Sequence, residues 1–244
     1  MRSAVKYFLA AAVLAACGVT GRAAVDAEDV ITMARAYIGP EEKLGALHSL
    51  VVVGTEVPAD DGPEVRYTAH LKRPLYQRVE QDDGQTLTVM AVDPFEGWVM
   101  RQRHGQPLSS AMIAPMDAAT YAEMRANTIM NLYFFRGHEK FRGSVEYLGE
   151  REVDGEPAHV LEYRFGRRGR MVRAVHAETG RLLTTEMGGG VLLRERGEQR
   201  VDGLRFPTEI ESYINGELAG TITLEQIRVN PEIDDAIFAY PSNL

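Results

Sequence analysis

Cysteine is almost absent. Cys17 stands alone in 244 residues, so no disulfide can form within the molecule, and packing and hydrogen bonds must hold the fold. Tryptophan is equally scarce: Trp98 is the single one, expected to pack against a sheet. Positive charge is in deficit. The 27 Lys and Arg face 35 Asp and Glu for a net charge of −8, and the basic residues are scattered among acidic ones rather than striped. That balance argues against a nucleic-acid partner. Metal motifs are missing too. The six histidines, at 48, 70, 104, 138, 159 and 176, are far apart, and neither His-Glu-x-x-His nor Cys-x-x-Cys spacing occurs. No Gly-x-Ser-x-Gly elbow is present, and Ser109-Ser110 falls in an ordinary loop context. Gly188-Gly189-Gly190 is not followed by a helical pattern, which favours a hairpin turn over a phosphate loop. The sequence therefore assigns no catalytic residue, no metal and no cofactor. No repeat of fixed period and no Pro/Ser-rich linker divides the chain, so one domain is expected. A membrane-spanning run is also lacking. The apolar stretch 7–16 (YFLAAAVLAA) is about half the ~20 residues a bilayer demands.

What is there begins with that stretch. Arg2 and Lys6 precede it, which is the pattern of a secretory signal peptide. It closes on Leu14-Ala15-Ala16-Cys17, which resembles a bacterial lipobox, in which the cysteine is acylated and becomes the new N-terminus. Ordinary cleavage nearby, after Gly18 or Ala23, is the alternative. Loss of residues 1–16 removes Arg2 and Lys6 and leaves 25 basic against 35 acidic residues, which does not favour adhesion to anionic lipid. Membrane attachment is therefore expected through Cys17. The expected organisation is a leader over 1–17, a linker over 18–25 and a folded domain over 26–244.

Within the domain, the stretch 117–141 (DAATYAEMRANTIMNLYFFRGHEKF) is the longest that reads as helix. Tyr121, Met124, Thr128, Leu132 and Phe135 recur at three- and four-residue steps on one face, and Ile129, Met130, Tyr133 and Phe134 widen it. A shorter helix runs from Asp26 or Asp29 to Tyr37 and stops at Gly39-Pro40. The remainder alternates with period two. In 64–72, Val65, Tyr67, Ala69 and Leu71 share a face, and Arg66, Thr68, His70 and Lys72 share the other, where His70 should be solvated. Strands follow over 75–81, 86–92 and 95–103, and 105–115 reads as a loop. Beyond the helix come strands over 145–151, 158–165, 171–177, 181–187, 191–200, 206–214 and 220–229. Asp154-Gly155, Asp202-Gly203 and Asn215-Gly216 supply the positive φ that two-residue hairpins need, so sequential strands should be antiparallel neighbours. His159 alternates with Leu161, Tyr163 and Phe165 and reads as a wall histidine. Asp234-Asp235 reads as a helix cap rather than half of an acid pair. The fold class is mainly β: a large antiparallel sheet of about eleven strands that must curl to bury its apolar face. A closed barrel would remove both edges; the long apolar helix favours instead an incomplete barrel plugged by that helix, with a solid core as the alternative to a cavity.

Two segments carry a resemblance. One is the entry, from Ala34-Arg35-Ala36-Tyr37-Ile38-Gly39 through Lys43-Leu44 to Gly54. The other is the end, Asn230-Pro231 followed by Ile233-Asp234-Asp235-x-x-Phe238-x-x-Pro241. With the strand–helix–strand order, these resemble outer-membrane lipoprotein-sorting proteins of the LolA/LolB-like superfamily, to which the periplasmic sensor RseB is related. The resemblance implies a half-barrel with a helical lid over a cavity for acyl chains of lipids or lipoproteins, and no catalysis. On that reading Tyr121, Met124, Ile129, Leu132, Tyr133 and Phe135 are the candidate lining residues, in a periplasm-facing protein tethered to the outer membrane through Cys17. A sensor or interaction module with another envelope protein as partner, resembling RseB, is the other reading.

Overall fold

A computed structural model describes residues 25–166 and 169–241. The leader, the lipobox with Cys17 and most of the linker lie outside them.

The first helix, α1 (Ala27–Ile38), opens with a reciprocal cap. Asp26 accepts from the backbone N–H of Asp29 at 2.9 Å, and Asp29 accepts from that of Asp26 at 3.2 Å. Val30, Ile31 and Ala34 form its buried stripe. Gly39 and Pro40 end it, and a short α2 (Glu41–Ala46) follows. Then come β1 (Ser49–Pro58), β2 (Val65–Lys72), β3 (Tyr76–Asp82), β4 (Thr86–Val92), β5 (Gly97–Arg103) and β6 (Met112–Pro115), each an antiparallel neighbour of the last. After the long helix α3 (Ala118–Leu132) lie β7 (Gly143–Val153), β8 (Glu156–Phe165), β9 (Gly169–His176), β10 (Leu182–Glu186), β11 (Val191–Arg196), β14 (Glu209–Ile214) and β15 (Glu217–Val229). A small ribbon, β12 (Gln199–Val201) with β13 (Leu204–Phe206), leaves the main sheet between β11 and β14.

The thirteen-stranded sheet runs β6-β5-β4-β3-β2-β1-β15-β14-β11-β10-β9-β8-β7. The two meanders therefore meet in the middle, where β1 pairs with β15. At Gly54 that ladder slips by a residue, and a Cβ there would lie 2.3 Å from the carbonyl oxygen of Thr223, so only glycine lets the backbones approach so closely. The hairpin dipeptides behave as expected: Asp154-Gly155, Asp202-Gly203 and Asn215-Gly216 all have both φ angles positive.

Curvature follows from α3. This one helix packs against β2, β3 and β4 and also against β9. β4 and β9 stand third and eleventh in the strand order. At about 4.8 Å per strand a flat sheet would separate them by roughly 38 Å. The fifteen residues of α3 extend only about 22 Å. The sheet must curl around the helix to touch it on both sides. Its two edges, β6 and β7, are the strands that α3 connects, so the helix bridges an unclosed seam. The fold is an incomplete antiparallel barrel with a helix across its opening.

The structure differs from the sequence expectation at several places. The helix ends at Leu132 instead of running on to Phe141, because Phe134 and Phe135 adopt φ of 43° and 68° and the chain turns. Residues 105–115 are not all loop, since β6 pairs with β5 and adds an edge strand. The expected strand over 191–200 is broken after Arg196 by Gly197, where β12 leaves the sheet, and the strand over 206–214 is likewise broken at Pro207. His70 is not freely solvated. It is half-buried, its Nδ1 has no hydrogen-bond partner, and burial lowers its pKa. His159 is the wall residue expected, buried with Nδ1 2.9 Å from the Tyr147 hydroxyl.

The closing segment is a clamp on the sheet. Asn230, in the left-handed region at φ 56°, accepts from the backbone N–H of His48 at 2.8 Å. Asp234 accepts from Ala236 N–H and caps a 3-10 turn. Lys72 bonds Asp235 at 2.5 Å, and Phe238 inserts beside Tyr76 with ring centroids 5.2 Å apart.

Candidate ligand-binding recess

Two arginines, Arg35 buried and Arg73 half-buried, fix the end of α3. A helix leaves its last carbonyls without partners and concentrates partial negative charge there. Arg73 donates from Nη2 to Leu132 O at 2.8 Å and lies 4.4 Å above the Tyr133 ring. Arg35, on α1, donates from Nη1 to Tyr133 O and Phe134 O, both at 2.7 Å, while Nε and Nη2 grip Glu41 at 2.9 and 2.5 Å. Tyr163 donates to Phe135 O at 3.0 Å. The turn at 133–135 is thereby pinned to both α1 and the sheet, which sets where Phe134 and Phe135 point.

Beneath that turn lies a recess of about 180 Å³. One wall is Met130 and Asn131 of α3 and Phe134 and Phe135 of the turn after it, with Tyr37 and Ile38 of α1. The sheet contributes apolar side chains, among them Leu50 and Val52 of β1, Ala69 and Leu71 of β2, and Ile222 and Leu224 of β15. At one end the β12–β13 ribbon closes on α1. Tyr37 donates to Glu198 Oε2 at 2.7 Å, and Arg205 donates to Tyr37 O at 3.0 Å and stacks 4.5 Å from its ring.

The six candidate lining residues from the sequence are dispersed. Phe135 lines the recess, with its ring buried. Met124 and Leu132 belong to the core between α3 and β1–β4. Ile129 is fully buried, and Tyr133 packs under Arg73 and edge-on to Phe141 at 5.6 Å. Tyr121 reaches the far end of the helix, where its hydroxyl donates to Asp93 O at 3.2 Å beside a shallow outer hollow.

Two charged wall residues were not singled out from the sequence: Arg173 on β9 and Glu195 on β11. Their signal was present in the alternation Met171-x-Arg173-x-Val175, which sets a charge among core residues of one strand face. Arg173 is buried, its Nε has no hydrogen-bond partner, and its guanidinium lies 4.8 Å from the Phe135 ring. Burial lowers its pKa, opposed by Tyr163 and Glu195. Burial pushes the Glu195 carboxyl up to about 7, opposed by Arg173 and Arg181. Tyr67, on the facing wall, is pushed up to about 12 by burial.

Glu195 gives a pH prediction. Its folded pKa is above its unfolded value, so the folded state holds the proton more tightly. That contribution is complete below pH 4.5 and is lost as pH rises through about 7. The side chain keeps partial exposure, so the effect is on the order of 2 kcal/mol rather than the full ~3 that the shift would give. Glu195→Gln, which mimics the protonated form, should match the parent near pH 4 and exceed it in stability by about 2 kcal/mol near pH 8. Urea denaturation at both pH values measures this; a constant difference between the two proteins would contradict the assignment.

No family model matches the sequence, and no curated protein does. Solved structures do match by shape. A DUF1329 family protein from Desulfovibrio piger superposes with a TM-score of 0.58 at 13% identity, covering 88% of this chain and 97% of its own. A LolA superfamily protein from Nitrosomonas europaea superposes at 0.57 and 15% identity, covering 89% of this chain and 99% of its own. The fold is that of the LolA-like half-barrels. The identity is low enough that likeness to these LolA-like structures carries the architecture alone.

Proposed function

We propose that this protein binds acyl chains of lipids or lipoproteins in the recess beneath α3, as a non-catalytic carrier or sorting component of the cell envelope. The observation that carries the reading is the recess itself: an apolar hollow between the curled sheet and the turn at 133–135. Burying ten methylenes at ~0.8 kcal/mol each would contribute on the order of 8 kcal/mol before the costs of association, enough for a carrier that must also release. At 180 Å³ the hollow is smaller than the ~300–1,000 Å³ common for ligand pockets. A full chain therefore requires the helices or the β12–β13 ribbon to move outward. The contact of Tyr37 with Glu198 and Arg205 is the polar closure such a movement would open.

The leader and Cys17 support export and tethering through acyl groups on that cysteine. Palmitate labelling of the parent and of Cys17→Ser tests the anchor, with label expected only on the parent. For the ligand, the protein is purified by gentle extraction and its bound lipid identified by mass spectrometry. Co-purified acyl lipid at near-stoichiometric amounts is expected. Protein reproducibly free of lipid, which also fails to take up a fluorescent fatty-acid probe, would refute the ligand reading.

A further inference from the structure

Resting on that reading, we infer that the recess takes its ligand head-first: a single-chain amphiphile with a small anionic head, such as a free fatty acid, whose carboxylate seats on the guanidinium of Arg173. The other buried arginine shows how this fold treats a structural guanidinium. Arg35 spends its donors on two carbonyls and a bidentate carboxylate. Arg173 is equally buried, at 5% exposed, yet its Nε is without a partner and its guanidinium lies over an aromatic face, 4.8 Å from the Phe135 ring centre. A buried cation is costly unless it is paired and hydrogen-bonded. Here it stands in the wall of a mainly apolar hollow, whose other charged groups are Glu195 and Arg181 on the same side and Glu198 and Arg205 at the ribbon end.

The groups facing it narrow the ligand. Glu195 acts on Arg173 through space without a hydrogen bond, and Arg181, in the same wall, is already paired with Glu156 at 2.6 Å, which leaves Arg173 as the guanidinium with room for an anion. An acyl chain entering tail-first would set methylenes against the guanidinium and leave it unpaired. A carboxylate entering first supplies the planar pair of acceptors that a guanidinium fork matches. The chain would then run along the apolar strip of β1, β2 and β15. The small volume suits a compact head with the first few methylenes in the closed form, and argues against a bulky phosphodiester head.

Isothermal titration calorimetry of the purified protein at about pH 6, with dodecanoate, dodecanol and acetate as probes, tests the inference. Dodecanoate should bind at least tenfold more tightly than dodecanol, and acetate should neither bind nor compete at millimolar concentration. Arg173→Met, which keeps the apolar stem, should abolish the preference while leaving dodecanol affinity within about twofold. Arg173→Lys should restore part of it. Equal binding of dodecanoate and dodecanol by the parent, or an unchanged ratio in Arg173→Met, overturns the head-first seat and leaves acyl binding standing. Acetate competing as well as dodecanoate would make it a free-anion site and overturn the amphiphile. Binding of neither chain overturns this inference and the ligand reading together. Should Arg173→Met fail to fold, the parent's ratio still decides.

Discussion

Phe238→Ala is expected to lower stability by about 3–5 kcal/mol, the range for removing a fully buried aromatic ring. Phe238 is 1% exposed, packs against Tyr76, and its carbonyl accepts from Trp98 Nε1 at 2.9 Å. The ring is the weight that holds the C-terminal segment onto β3–β5. Its loss leaves a cavity and releases the cap at Asp234 and the contact of Asp235 with Lys72. Phe95 is the control. It is 89% exposed at the β4–β5 turn, and Phe95→Ala should change stability by less than about 0.5 kcal/mol. Equilibrium urea unfolding of both variants measures the contrast. A cost below 1 kcal/mol at Phe238 would mean that the closing segment is not part of the cooperative unit.

Arg35→Ala should cost about 2–4 kcal/mol, and the reason separates two contributions that look alike. The ion pair with Glu41 is short, but Glu41 is 70% exposed, and such pairs contribute little. The bonds to Tyr133 O and Phe134 O are different. The bond to Phe134 O is buried, and a carbonyl left without a partner costs about 1–3 kcal/mol. Glu41→Gln should therefore cost less than about 1 kcal/mol, while Arg35→Ala should unpin the turn at 133–135. Hydrogen exchange supplies the second readout: amides of 129–137 should lose protection in Arg35→Ala and keep it in Glu41→Gln. Equal costs for the two variants would assign the effect to the ion pair instead.

How far the sequence could be read is clearest at particular residues. The hairpins were legible because Asp-Gly and Asn-Gly force positive φ locally, whatever the chain does elsewhere. The capping of α1 and of the turn at Asp234 was legible because an Asp side chain accepts backbone N–H groups two or three residues on, which is equally local. β6 was not, since its four residues MIAP have no alternation and gain their strand only by pairing with β5. The end of α3 was hidden because apolar spacing continues through Phe135. What stops the helix is donors from Arg35 and Arg73, far away in sequence. Of the recess, the apolar character was legible and its polar wall residues were not. A strand's period shows which residues share a face. It does not show that β9 and β11, two strands apart in the sheet, bring Arg173 and Glu195 to the same hollow.

The seam between β1 and β15 pairs Leu50 with Val229 and Val57 with Thr221. Each meander can zip from its own turns as soon as it is made, but the join waits for the final strand. Closing a loop of that length costs roughly 4–5 kcal/mol of chain entropy before any pairing repays it. A chain made N-terminus first would thus stay divided into two half-built pieces until β15 (Glu217–Val229) was free to pair. In any setting, making β15 is the step that lets the two halves of the wall join.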